Sequence, residues 1–245
     1  MLTLIQENRY ILANVESNNN KWWTAQLYED GTVVTEWGRV GETGRSKEFP
    51  SAGADDFRSR CRQKESSGYR ALRVAQNGAS ARIPKFAITQ IAQEQIAPSE
   101  PETAQLITRL ARANVHAILS STALEYDESS GLFATPLGAV TQEAVTEARR
   151  LLTDIGSLVA LQDYDNPYFA SNVSEYLMLI PQNLGRSRPD LRSLYPNLET
   201  VQSQNALLES VEASLRAVLW VISGRDLRNW AEGHLVAWLG RAGLR

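Results

Sequence analysis

Trp37, Gly38 and Arg39 form the first constellation in the chain whose residue types suit a definite chemistry. A tryptophan at a strand end offers a flat apolar face on which a base or terminal sugar can stack, contributing roughly 1–3 kcal/mol. An arginine two residues later points to the same side of the strand, because side chains alternate. Its planar fork can grip a phosphate or a neighbouring carboxylate. Arg45, Lys47 and the side-chain amide of Asn20 add donors of the kind that position a sugar–phosphate backbone without reading bases. This is binding chemistry, with no bond made or broken. A plainer assignment competes with it. Tryptophan in a small β module is more often core than platform, and Trp37 alone fits that role better; the residues around it reverse the balance. Arg45 and Lys47 fit solvated surface charge equally well.

The remaining reactive side chains point away from catalysis. His116 and His234 both sit in helical patterns, where a lone histidine is usually packed or solvated rather than a general base. Cys61 is the single cysteine, so no intrachain disulfide can form and a reducing compartment is expected. Two histidines and one cysteine cannot supply a tetrahedral four-ligand nitrogen and sulfur zinc site. There is no glycine-rich nucleotide loop, and the acidic pairs Asp163/Asp165 and Asp127/Glu128 read as loop charges. No metal, no cofactor and no enzymatic activity are expected.

Composition agrees with a globular chain. Of 245 residues, 43% are hydrophobic and 22% charged, both ordinary values. No apolar run reaches bilayer length, and Met1 to Tyr10 has no secretory pattern. No membrane is expected, and the location is cytoplasmic, beside the nucleoid, or nuclear in a eukaryote. The net charge of −3 hides a split, with residues 1–75 at +1 and residues 76–245 at −4. Attraction to phosphate must therefore come from a local patch in the first part.

The elements that position these residues follow from pattern. Arg9–Glu16 is rich in β-formers, and Ser17–Asn20 is a turn cluster. Lys21–Tyr28 and Thr32–Trp37 read as strands joined by an Asp30-Gly31 hairpin turn. Trp22 and Trp23 then face opposite ways. Gly38, Gly41 and Gly44 break the chain before Ser46–Phe49, and Ala54 to about Lys64 turns helical, with Phe57 and Cys61 on one face. Beyond Asn77–Ser80 β character is expected to disappear. Leu106, Leu110, Ala113 and Ala117 repeat at helical spacing. So do Val145, Ala148, Leu152, Ile155 and Val159 after a start at Thr141. Asn166-Pro167 opens a further helix, and Gln182–Asn197 reads as loop. Leu208, Val211, Leu215, Val218 and Ile222 mark a long helix, and Asp226–Leu239 a last amphipathic piece carrying Trp230 and Trp238. The expected class is α+β: an antiparallel β-rich module with one helix at 1–75, a linker with a short helix at 76–98, an all-α bundle at 99–222, and a helical tail at 223–245.

Trp37-Gly38-Arg39-Val40-Gly41, preceded by Asn18-Asn-Asn-Lys-Trp-Trp-Thr-Ala-Gln-Leu27 and followed by Lys64-Glu-Ser-Ser-Gly68-Tyr69, resembles the WGR domain of poly(ADP-ribose) polymerases over about residues 5–73. In that family the motif's Trp and Arg, and the Asn before the Lys-aromatic-aromatic strand, lie at the terminus of a broken DNA strand. Carried over by position, these are Trp37, Arg39 and Asn20. Glu42 departs from relatives that carry a basic residue there, which implies modest affinity. Thr135-Pro-Leu-Gly138, Tyr176–Gly185 and Val201–Glu209 together resemble the regulatory helical domain of the same polymerases over about 99–220. The transferase domain that follows in the family has no counterpart among these residues. The resemblance implies a non-catalytic binder of DNA ends or nicks. The helical half would then engage a partner in the DNA damage response, such as an ADP-ribosyltransferase acting in trans. The alternative is a truncated or split piece of such a polymerase. A scaffold that oligomerises through its terminal helix is a third reading.

Overall fold

The computed structural model describes residues 3–71, positions 101, 102, 104, 105, 108, 115, 118–120 and 122–127, and residues 132–135 and 138–222. The expected linker at 76–98, the tail at 223–245 with Trp230 and Trp238, both histidines, and the stripe of Leu106, Leu110, Ala113 and Ala117 lie outside the described residues.

Four strands run as an antiparallel meander: β1 (Leu4–Asn14), β2 (Asn19–Tyr28), β3 (Val33–Arg39) and β4 (Arg45–Phe49). A two-residue strand, β5 (Arg70–Ala71), returns to the free edge of β1, giving the order β4-β3-β2-β1-β5. The β2–β3 turn forms where Asp30-Gly31 predicts it. Gly31 takes φ +80, which a residue with a Cβ resists, and the Asp30 carboxylate accepts from both the amide and the hydroxyl of Thr32 at 2.9 Å. Helix α1 (Gly53–Ser66) lies across one face. There Tyr10, Trp23, Ala25, Leu27, Val33, Phe57 and Cys61 close a small core.

Period-two alternation sends Trp22 to the other face, and the helical half covers it there. Trp22 packs against a second, larger core. Ile11, Ala13, Val15 and Val40 from the sheet module join the bundle residues Leu152, Phe169, Val173 and Leu208 in it. The two halves are thus joined by shared apolar burial, and of the two tryptophans expected to face opposite ways Trp22 is the one wedged between them.

The bundle helices are α2 (Gln142–Ala160), α3 (Pro167–Leu179), the short α4 (Leu191–Leu194) and α5 (Leu198–Ile222). Thr141 caps α2 by accepting from the Ala144 amide, and Asn166 caps α3 with Pro167 in its first turn, as the start signals predict. Val145, Ala148, Leu152, Ile155 and Val159 are all buried on one stripe of α2. Two expectations need correction. The loop at 182–197 contains α4, which Asp190 caps through the Arg192 amide. The second half is not purely helical either. β6 (Glu125–Asp127), β7 (Leu132–Thr135) and β8 (Gly138–Ala139) form a three-stranded sheet. Its anchor is Phe133, 1% exposed, with its ring 5.1 Å from Tyr126. Strands of two to four residues are too short to show a period, so aromatic burial rather than pattern holds them.

Candidate nucleic-acid interface

The register of the sheet decides which predicted residues share a surface. Trp37 on β3 stands opposite Trp23 on β2 and Arg45 on β4, so all three lie on the α1 face, because directly opposed residues share a side. Lys47 lies two residues further along β4, opposite Thr35. Trp23 is 4% exposed whereas Trp37 is 37% exposed, so the two opposed indoles divide between core and surface. Trp37 presents an aromatic face at the margin of the α1 side.

Two lysines complete the patch, and neither stands among the motif residues carried over from the family. Lys21 opposes Arg39 on the same face. The Lys64 ammonium of α1 lies 5.5 Å from the centre of the Trp23 ring and 5.1 Å from that of Tyr69. Burial, together with the neighbouring Lys21 ammonium, lowers the Lys64 pKa below the usual lysine range. Among the described residues Lys21, Arg45, Lys47 and Lys64 form no ion pair. A pair of crowded like charges without a carboxylate partner favours an anion. The spacing of Lys64 from Trp23 in the chain conceals this, since α1 folds back over β2.

Arg39 and Asn20 are placed differently. Arg39 donates from Nε to the Gly185 carbonyl at 2.6 Å and from Nη2 to Asn18 Oδ1 at 2.7 Å. A further bond runs from Nη1 to the Asn18 carbonyl at 3.3 Å. Asn20 is only 1% exposed, and its Nδ2 donates to the Gln182 carbonyl at 2.8 Å. Asn18 Nδ2 donates to the Arg186 carbonyl at 2.7 Å. The carbonyls of residues 182–186, beyond α3, thus accept from the motif's Arg, from the Asn expected to be a surface donor, and from that Asn's neighbour. The Asn20 amide is spent inside the protein.

The motif's glycines answer to the same junction. A Cβ on Gly38 would stand 3.0 Å from the Trp22 indole nitrogen, and one on Gly44 only 2.5 Å from the same ring. Gly38 therefore admits Trp22 instead of contributing a contact surface of its own. Gly41 takes φ +81 and would place a Cβ 2.9 Å from the Asn183 side chain. Beside it Glu42 accepts from Arg186 Nε and Nη2 at 3.0 and 3.1 Å, which lowers the Glu42 pKa. Glu42, expected to weaken the pull on phosphate, is thus matched by an arginine from the other half. Gly41→Ala should destabilise the chain by about 1–3 kcal/mol, from backbone strain and a forced contact together. Gly53→Ala is the control, with φ +77 but nothing within 4 Å of the added carbon. It should show strain alone in the same denaturant melt.

A small antiparallel sheet with one helix thus carries, on one face, a partly exposed indole and a cluster of cations that form no ion pair among the described residues. Residues 9–76 match the WGR domain family, and the chain carries a WGR domain over that span. No family model for a polymerase regulatory domain matches the helical half, and no curated protein matches the chain.

Proposed function

We propose that this protein binds DNA at ends or nicks through the α1 face of its WGR domain. Trp37 stacks on the terminal nucleotide, and Lys21, Arg45, Lys47 and Lys64 hold the phosphates. The observation that carries this reading is the half-exposed Trp37 opposite Arg45. Indole and cations share one face, which is what a sequence-blind grip on a broken strand requires. Arg39 and Asn20 act at one remove: their bonds to Gly185 and Gln182 tie the position of the motif to the bundle. In this reading the helical half is a regulatory or adaptor element in the response to DNA damage. It presents its state to a partner, such as an ADP-ribosyltransferase in trans, and the described residues supply binding and no chemical step.

The test is a titration of the whole chain against a closed DNA circle and the same circle linearised. Linear DNA should bind more tightly, with affinity falling by about 0.9 log unit per log unit of salt for each phosphate contact. Equal affinity for the two forms would show that the end is not what is recognised.

A further inference from the structure

The face of the sheet opposite α1 has the reverse electrostatic character. A groove of about 550 Å³ opens there between the sheet, the loop at 41–44 and residues 123–125, a size that suits a ligand or a short peptide segment. Four carboxylates line it, Glu7, Glu36, Glu42 and Glu125, against one arginine, Arg9. Glu7 is matched by Arg9 at 2.8 Å and Glu42 by Arg186 at 3.0 Å. Glu36 and Glu125 have no ion-pair partner among the described residues. On its sheet floor lies Thr24, 4% exposed, whose Oγ1 is buried without a hydrogen-bond partner. The cross-strand neighbours of Thr24 are Arg9 and Glu36. An orphaned hydroxyl is costly, and the residue opposite it in the β2–β3 register, Glu36, carries an unmatched carboxylate.

The occupant must be cationic and able to donate hydrogen bonds. Phosphate is repelled. A metal ion is disfavoured too, because among the described residues no three carboxylates, histidines or cysteines come together as a ligand set. We propose that this groove docks an arginine-bearing basic polypeptide segment, with guanidinium groups set against Glu36 and Glu125 and one N–H completing Thr24 Oγ1. Arginine fits better than lysine because its planar fork can donate to a carboxylate and a hydroxyl at once. The groove and the cationic face lie on opposite sides of one sheet, so a basic peptide and DNA do not compete for the same residues. The inference does not depend on DNA being the ligand of the other face.

The experiment is a fluorescence titration of the full chain with a labelled peptide of glycine-spaced arginines, in the absence of nucleic acid. Glu36→Gln with Glu125→Gln should weaken binding by about tenfold or more, as expected for lost charge-assisted bonds. Thr24→Val should weaken it by a few fold while Thr24→Ser restores it. Lys21→Ala with Lys64→Ala should leave it unchanged. Melts of each variant establish that the fold is retained; both glutamates are exposed, so their amides should not unfold it. The proposal fails if the wild type does not bind the peptide, or if the double amide binds as the wild type does. It also fails if spermine displaces the peptide as well as unlabelled peptide of equal charge does, since the groove would then be an unselective polycation sink.

Discussion

Trp37→Ala should lower affinity for a DNA end by roughly ten- to a hundredfold, a loss of about 1–3 kcal/mol from one stacking platform, while leaving the fold nearly as stable as before. Buried tryptophan truncations cost about 3–5 kcal/mol, so the two roles are well separated in size. Trp37 is 37% exposed and its neighbour across the strand, Trp23, is 4% exposed and closed in by α1. Trp23 carries the packing, and Trp37→Ala should shift stability by about 1 kcal/mol or less. Trp23→Ala is the internal standard and should show the full core cost. Denaturant melts and end-binding curves on both variants decide the matter. A loss of stability at Trp37 as large as at Trp23, with binding falling in proportion, would assign the motif's tryptophan to the core and remove the platform.

Arg39 gives a different pattern from that of a surface phosphate contact. Each of its three nitrogens donates one bond, to Asn18 or Gly185, so its removal loosens the junction between sheet and bundle. The sequence could not show this. Residues 182–186 lie about 145 positions away from the motif, and nothing in a loop-forming run such as Gln182-Asn-Leu-Gly185 announces that its carbonyls will be acceptors for a distant arginine. The burial of Asn20 is hidden for the same reason: an asparagine beside a turn cluster reads as exposed, and only the packed bundle buries it. What pattern did convey was local. Asp30-Gly31, Thr141 and Asn166-Pro167 act through neighbouring backbone groups, and each element begins or turns where they stand. The small β6–β8 sheet is not legible because its strands of two to four residues hold too few repeats of a two-residue period to reveal it.

Net charge summed over a segment is blind to faces. The near balance of residues 1–75 conceals a sorting by face that alternation imposes. Along β4, Arg45 and Lys47 fall on the α1 side and Glu48 on the other; on β3, Glu36 and Trp37 divide in the same way. Signs at every second residue of these strands separate a cationic face from an acidic one. Lys64 lies outside that alternation, because it reaches the cationic face from a helix.

Lys21 and Lys64 therefore carry the second large expectation. If both hold phosphates, Lys21→Ala with Lys64→Ala should reduce the salt dependence of end binding by about 1.8 log units per log unit of salt, twice the contribution of one phosphate contact. Between 50 and 200 mM salt, the wild type should then lose about tenfold more affinity than the double variant. The physical reason is the crowding itself. Burial and the Lys21 charge disfavour the Lys64 ammonium in the free protein; a bridging phosphate offsets the repulsion between the two lysines and favours the charged form. Binding should for that reason weaken as pH rises towards the lowered Lys64 value, and the double variant should lose that alkaline limb. Arg58→Ala is the comparison, since Arg58 lies on α1 but is ion-paired with Asp55; it should leave the slope unchanged. An unaltered slope in the double variant would mean that the phosphates lie elsewhere, and the cluster would be surface charge with no part in holding DNA.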